Sequence, residues 1–288
     1  KTCLFNYFLV FLHCFKKGTT LKRIYAILLS LLVVFCLDSC DWKFKITGEE
    51  DDPDRIEIQR YDRLESRYLT TGDFSALQQM NTTYPVETRT LVEDVLQLGA
   101  VTDSHINNKF LSFFQDSTLQ NIIADAEAQY ANMDDLNDML TNSFIKLKDL
   151  LPNVQHPIIY TQIGALDQSI IVGDKLIGIS LDKYLGKDYP VYQRYYSEQQ
   201  RESMERKYIV PDCLTFYLLS LYPMKDHDQI SQLGRDLHIG KVMWTVNQVL
   251  PHPMFKSKYI SLVDHYMKHH KDVTVDQLLK DTAYSKFL

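Results

Sequence analysis

Beyond its leader region this sequence holds one cysteine. Cys3, Cys14, Cys36 and Cys40 all fall within residues 1–40, and Cys213 stands alone after them. If Cys40 is acylated, no internal disulfide is available, and Cys213 reads as a small buried apolar residue. No paired-cysteine metal motif, glycine-rich phosphate loop, serine elbow or His-Glu-x-x-His zinc motif is present. Gly164 and Gly173 stand in turn contexts instead of cradling a phosphate. Positive charge is scarce too. Residues 1–40 hold five of the 31 basic side chains and one of the 37 acidic ones, so the remainder carries a net of −10. Nucleic acid needs a basic face to displace its counterions, which excludes it as a partner class. The sequence has no internal repeat or low-complexity segment and implies no cofactor.

What is present begins with a secretory layout. Basic Lys22-Arg23 precedes an apolar run from Ile24 to Leu37. That run is shorter than the roughly 20 residues that span a bilayer. It ends in Leu37-Asp-Ser-Cys40, which resembles the lipobox of bacterial lipoproteins. The resemblance implies a lipid on Cys40 and a domain held at a membrane surface, since two or more acyl chains anchor stably where one does not. The apolar stretch Cys3–Phe15 ahead of this reads as an upstream hydrophobic extension. The expected division is therefore a leader at 1–39, a lipidated cysteine with an acidic tether at 40–54, and a folded domain at 55–288. With 45% hydrophobic residues overall, a sizeable core is expected there.

Along the domain, Arg55–Tyr61 alternates, with Ile56 and Ile58 on one face, and reads as a half-buried strand. Residues 83–150 read as helical. One helix opens at Tyr84-Pro85 and stops at Gly99; a second covers Leu119–Met133; a third, capped by Asp134 or Asp135, ends before Pro152. Between Pro157 and Leu181 the period becomes that of strands, with a hairpin around Gly173-Asp174. The helix Val210–Tyr222 is apolar nearly all round and reads as central and buried. Gln229–Leu250 is a further helix, and Tyr259–His270 and Val275–Leu279 read as surface helices packed on this core. The fold class is α+β: a mainly helical single domain with a small sheet.

Four motifs together resemble the gliding-motility GldB lipoproteins of Bacteroidetes: Ile58-Gln-Arg-Tyr-Asp62, Tyr184-Leu-Gly-Lys-Asp-Tyr-Pro190, Ile209-Val-Pro-Asp212, and Gly240-Lys241 ahead of Val249-Leu-Pro251. The resemblance implies an envelope protein of the periplasm-facing inner or outer membrane, with envelope proteins as partners and links to gliding or secretion machinery. It brings no catalytic residues. The order of elements also resembles a degenerate zincin-like core. Its helix lacks the two histidines, however, and Ile239 stands where a glutamate would precede the glycine.

The candidate binding residues are Tyr184, Lys187, Asp188, Tyr189 and Tyr192, with neighbouring Tyr195 and Tyr196, and Asp212. Tyrosines are more often core with a polar tip, yet clustered, partly wet aromatics also mark interfaces. The leading expectation is a non-enzymatic envelope component; the alternatives are a glycan- or peptide-binding lipoprotein that uses these tyrosines and a metal-dependent hydrolase with shifted ligands. Asp212 suits the first turn of its helix, where the dipole favours an acid. His265 and His269 have zinc-like spacing, but Tyr266 lies between them in place of a general base. A solvated helix face is the plainer reading for them and for His270. His227 and His238 are weaker candidate ligands.

Overall fold

The computed structural model describes residues 54–224 and 229–287. Cys40, the leader, most of the acidic tether and His227 lie outside the described residues. The helices are α1 (Tyr61–Thr71), α2 (Phe74–Thr83), α3 (Pro85–Arg89), α4 (Ile106–Phe113), α5 (Ser117–Gln129) and α6 (Asp134–Leu150). After a three-stranded sheet come the one-turn helices α7 (Tyr192–Tyr195) and α8 (Glu198–Arg201). The chain continues through α9 (Ile209–Leu221), α10 (Gln232–Val249), α11 (Lys258–His269) and α12 (Val275–Lys280). This is the mainly helical α+β domain expected.

The sheet comprises β1 (Ile158–Gln162), β2 (Ile170–Gly173) and β3 (Leu176–Ser180), in the order β1-β3-β2. β2 and β3 form the expected antiparallel hairpin, and β1 runs parallel to β3. Residues 55–60 are extended, as their alternation suggests, and Ile56 and Ile58 are buried. They do not form a full strand. Gln59 makes a single bridge to Tyr160, while the amides of Ile56 and Ile58 donate to Thr141 Oγ1 and Asn137 Oδ1 of α6. Helix side chains there take the place of a second ladder.

Three local details differ from the sequence reading. The helix opening at Pro85 widens to a π-helical turn over Thr90–Val95 and ends there, ahead of Gly99, with Leu96 as its C-cap and Gln97 just beyond at φ 52°. Such turns are uncommon and interrupt the regular ladder. Neither Asp134 nor Asp135 is the N-cap of α6. Asn132 Oδ1 accepts the Asp134 amide instead, and both acids lie in the first turn, where the dipole favours them. Finally, α1 and α2 fill the stretch between Tyr61 and Thr83, for which the sequence predicts no element. One face of α1 buries Asp62, Glu65 and Ser66 beside Tyr61, Tyr68 and Leu69, so polar residues break the pattern.

The core runs continuously from Ile56 to Phe287. α9 is its hub, with Ile209, Val210, Cys213, Leu214 and Leu218 all fully buried, as its apolar composition predicts. It packs against the sheet, α6 and α10. α10 and α11 approach closely at Gly240, where a Cβ would come 2.8 Å from Tyr259 Cβ. Among the described residues no helix is long and apolar enough to cross a membrane.

Candidate functional site

The stretch after β3 carries most of the candidate residues, and its tyrosines explain its shape. Tyr184 and Tyr192 are fully buried. The Tyr192 hydroxyl donates to the Asp182 carbonyl and accepts the Leu185 amide at 2.9 Å, closing the loop on itself. From α5 and its end, Tyr130 Oη donates to the Tyr184 carbonyl at 2.6 Å, joined by Gln129 Nε2 at 3.2 Å. Tyr189 donates to Asp125 Oδ2 at 2.8 Å. Gly186 has φ 116° with nothing near its missing Cβ, so the backbone angle, not space, requires glycine there. Its amide donates to the Met204 carbonyl at 2.9 Å, and Arg201 Nη1 donates to the Lys187 carbonyl at 2.9 Å.

Held in this way, the loop sends Lys187, Asp188, Pro190, Arg194 and Tyr195 to solvent. Tyr195 is 65% exposed and is the one exposed tyrosine among the described residues. Tyr196 is half-buried; its hydroxyl donates to the Leu166 carbonyl at 2.6 Å and accepts from Lys183 Nζ at 2.9 Å. The candidate tyrosines therefore separate into a buried frame and one outward ring.

Asp212 lies in the first turn of α9, half-buried, with Oδ2 accepting from Tyr184 Oη at 2.8 Å. Burial pushes its carboxyl up to about 7, partly countered by that hydrogen bond. The Tyr184 hydroxyl is pushed well above its ordinary value by burial and by the Asp212 charge. Cys213, beside it, is fully buried, and burial holds its thiol protonated. The arrangement can hold and release a proton at Asp212 near neutrality.

The histidines are spread apart. His265 and His269 lie with ring centres 4.3 Å apart, tilted by 40°, on the exposed face of α11, and His269 Nδ1 is engaged with the His265 carbonyl at 2.8 Å. His270 stacks on Tyr266. His238 is buried between the Tyr222 carbonyl, 2.9 Å from Nε2, and the Tyr284 hydroxyl. Among the described residues no three His, Cys, Asp or Glu side chains gather as a metal cluster.

The sequence reading missed a buried polar cluster at the end of β1. Glu65 is fully buried and accepts the Ile163 amide at 2.8 Å. Asp182, also fully buried, accepts the Gly164 amide at 2.8 Å and the Leu166 amide. Burial raises both carboxyls, and each charge near Glu65 raises it further. Asp62 is gripped by Arg60 through two bonds of 2.9 and 2.8 Å and accepts the Thr161 hydroxyl. The signal available was the Gln-Arg-Tyr-Asp motif itself. Gln59 supplies the bridge to β1, Arg60 and Asp62 pair, and Tyr61 reaches Thr88.

The other motifs also resolve into architecture. Lys241 is fully buried and caps the C-terminal end of α12, donating to the Leu278 carbonyl at 3.1 Å and the Asp281 carbonyl at 2.6 Å. Burial lowers its ammonium to about 8. No curated protein and no solved structure matches the chain. Residues 43–259, most of the sequence and all four motifs, match the family described as gliding motility protein GldB. The chain therefore belongs to the GldB family of gliding-motility lipoproteins.

Proposed function

We propose that this protein is a non-catalytic interaction component of the cell envelope, tethered through a lipid on Cys40, whose outward 187–195 face meets a partner protein. The observation that carries this is the exposed Tyr195 beside Lys187 and Asp188, on a loop otherwise pinned by buried tyrosine hydroxyls. Rigid aromatic anchors bind at low entropic cost, and a pre-organised loop lowers the cost further. The acidic balance of the domain and the family's link to gliding suit an envelope protein as the partner.

A photo-crosslinking phenylalanine analogue at position 195 tests this in the native membrane, with position 113 on another exposed surface as control. A discrete crosslinked species from 195 alone, lost on Lys187→Glu, is expected. The same products from both positions, or none, would overturn the reading. The anchor is tested separately. Cys40→Ser should move the chain out of the lipid-labelled pool seen on feeding radioactive palmitate; continued labelling would refute acylation at Cys40.

A further inference from the structure

The sheet leaves β2 as an edge, and among the described residues nothing is hydrogen-bonded along its side away from β3. In the antiparallel register, Ile171 faces Gly178 and Gly173 faces Leu176, and the Ser180 amide donates to the Ser169 carbonyl at 3.0 Å. That register turns the backbone of residues 169, 171 and 173 toward β3. The N–H and C=O of Ile170 and Val172 consequently point away from the sheet. These four groups meet no partner among the described residues. Edge strands are normally blunted by lysine, proline or a bulge. Here the edge reads Ile-Ile-Val-Gly, with none of these; the Ile170 side chain is buried in the core, and Ile171 and Val172 are half-buried.

The ground beneath this edge belongs to the motif residues. α9 packs against β2, and the Tyr184 hydroxyl reaches both Ser169, at the strand's start, and Asp212 in the first turn of α9. Free backbone groups two residues apart fit only another extended backbone. Half-exposed β-branched side chains suit alternating apolar residues, and a domain whose residues 55–288 carry a net charge of −6 suits basic ends.

From these observations we propose that β2 takes up an extended, β-branched, basic-ended segment of a partner polypeptide as a fourth strand, paired through Ile170 and Val172. The inference rests on the interaction reading above and names the mode of contact. Its probe is a fluorescent peptide, Lys-Val-Thr-Val-Thr-Val-Lys, titrated against the full chain in detergent. The control peptide replaces both threonines with proline, removing donors.

Saturable binding is expected, at least tenfold weaker for the proline peptide. It should weaken at least tenfold with Val172→Pro, which removes an outward amide only, and with Ile171→Lys, which keeps the ladder intact. Hydrogen exchange at Ile170 and Val172 should be fast in the free chain and slow at least tenfold on binding. Equal affinity for both peptides, no binding, or slow exchange already in the free chain would overturn the proposal. Dimerisation lost on Val172→Pro would also overturn it, assigning the edge to a second copy. Crosslinking from Tyr195 does not depend on β2, so its persistence with a failed peptide test would sink the edge alone.

Discussion

Asp212 ties the candidate site to the stability of the whole domain. An aspartate in the unfolded chain titrates near 3.9, whereas burial holds this one up to about 7. Between those values the folded chain binds more protons than the unfolded one, so its stability falls as pH rises from about 4 to about 7 and then levels. Asp182 and Glu65, raised by burial, act in the same direction. Asp212→Asn keeps an acceptor for Tyr184 and removes the titration. At pH 8 the variant should be more stable than the parent by about 1–3 kcal/mol, discounted from the full shift because the carboxyl is partly wet. At pH 4 the two should coincide. Urea melts across pH 4–8 check this, and parallel pH profiles would refute it. A pair of tyrosines makes a second test. Tyr130 Oη holds the Tyr184 carbonyl, while Tyr160 Oη is buried with no hydrogen-bond partner among the described residues. Tyr130→Phe should cost about 1–2 kcal/mol and Tyr160→Phe about zero or less.

At the scale of elements, closeness of approach sets the packing. A Cβ at Gly178 would lie 2.6 Å from the Tyr160 ring and hydroxyl, because Tyr160 lies directly over its β3 partner. The ring is buried and has little room to withdraw, so Gly178→Ala should lower stability by about 1–3 kcal/mol. Tyr160→Leu in the same chain should restore part of that loss, since the clash is with the outer ring. Denaturant midpoints of the single and double variants decide it; equal losses in both would place the strain elsewhere. The strands around Gly178 were readable because Ile158–Ile163 and Leu176–Ser180 are β-rich and bounded by turns. α9 was readable because almost every position is apolar. α1 was not, because its inward face uses Asp62, Glu65 and Ser66, residue types that ordinarily face water. The same reason hid the buried carboxylates, whereas Tyr184, Lys187 and Asp212 were noticed through the family motifs. Sequence spacing could not reveal that the other tyrosines of that loop are buried or half-buried while Tyr195 alone stands out. That distinction depends on Tyr130 and Asp125, far away in the chain, arriving to hold them.

Over the whole molecule, the family match stops at residue 259, but the core does not. Val263, Leu278, Leu279 and Phe287 are buried against α10, and both acceptors of the buried Lys241 ammonium lie at 278 and 281. Tyr284 and Phe287 also place their rings over that ammonium, at 5.0 and 6.0 Å. Ending the chain at Tyr259 would strip the apolar cover from α10 and leave a charge with no partner. An unpaired buried charge costs about 3–5 kcal/mol where one partner is lost, a large share of a typical domain's 5–15 kcal/mol. The chain ended at 259 should therefore fail to fold cooperatively, although it contains every family motif. Ending at Lys280 keeps the Leu278 carbonyl and most of the apolar cover but loses Asp281, Tyr284 and Phe287, so it should fold with lowered stability. Thermal melts of the two truncations beside the full chain separate these cases. A sharp, full-height transition for the chain ended at 259 would mean that α11 and α12 only decorate the domain, contrary to the burial of Val263 and Leu278.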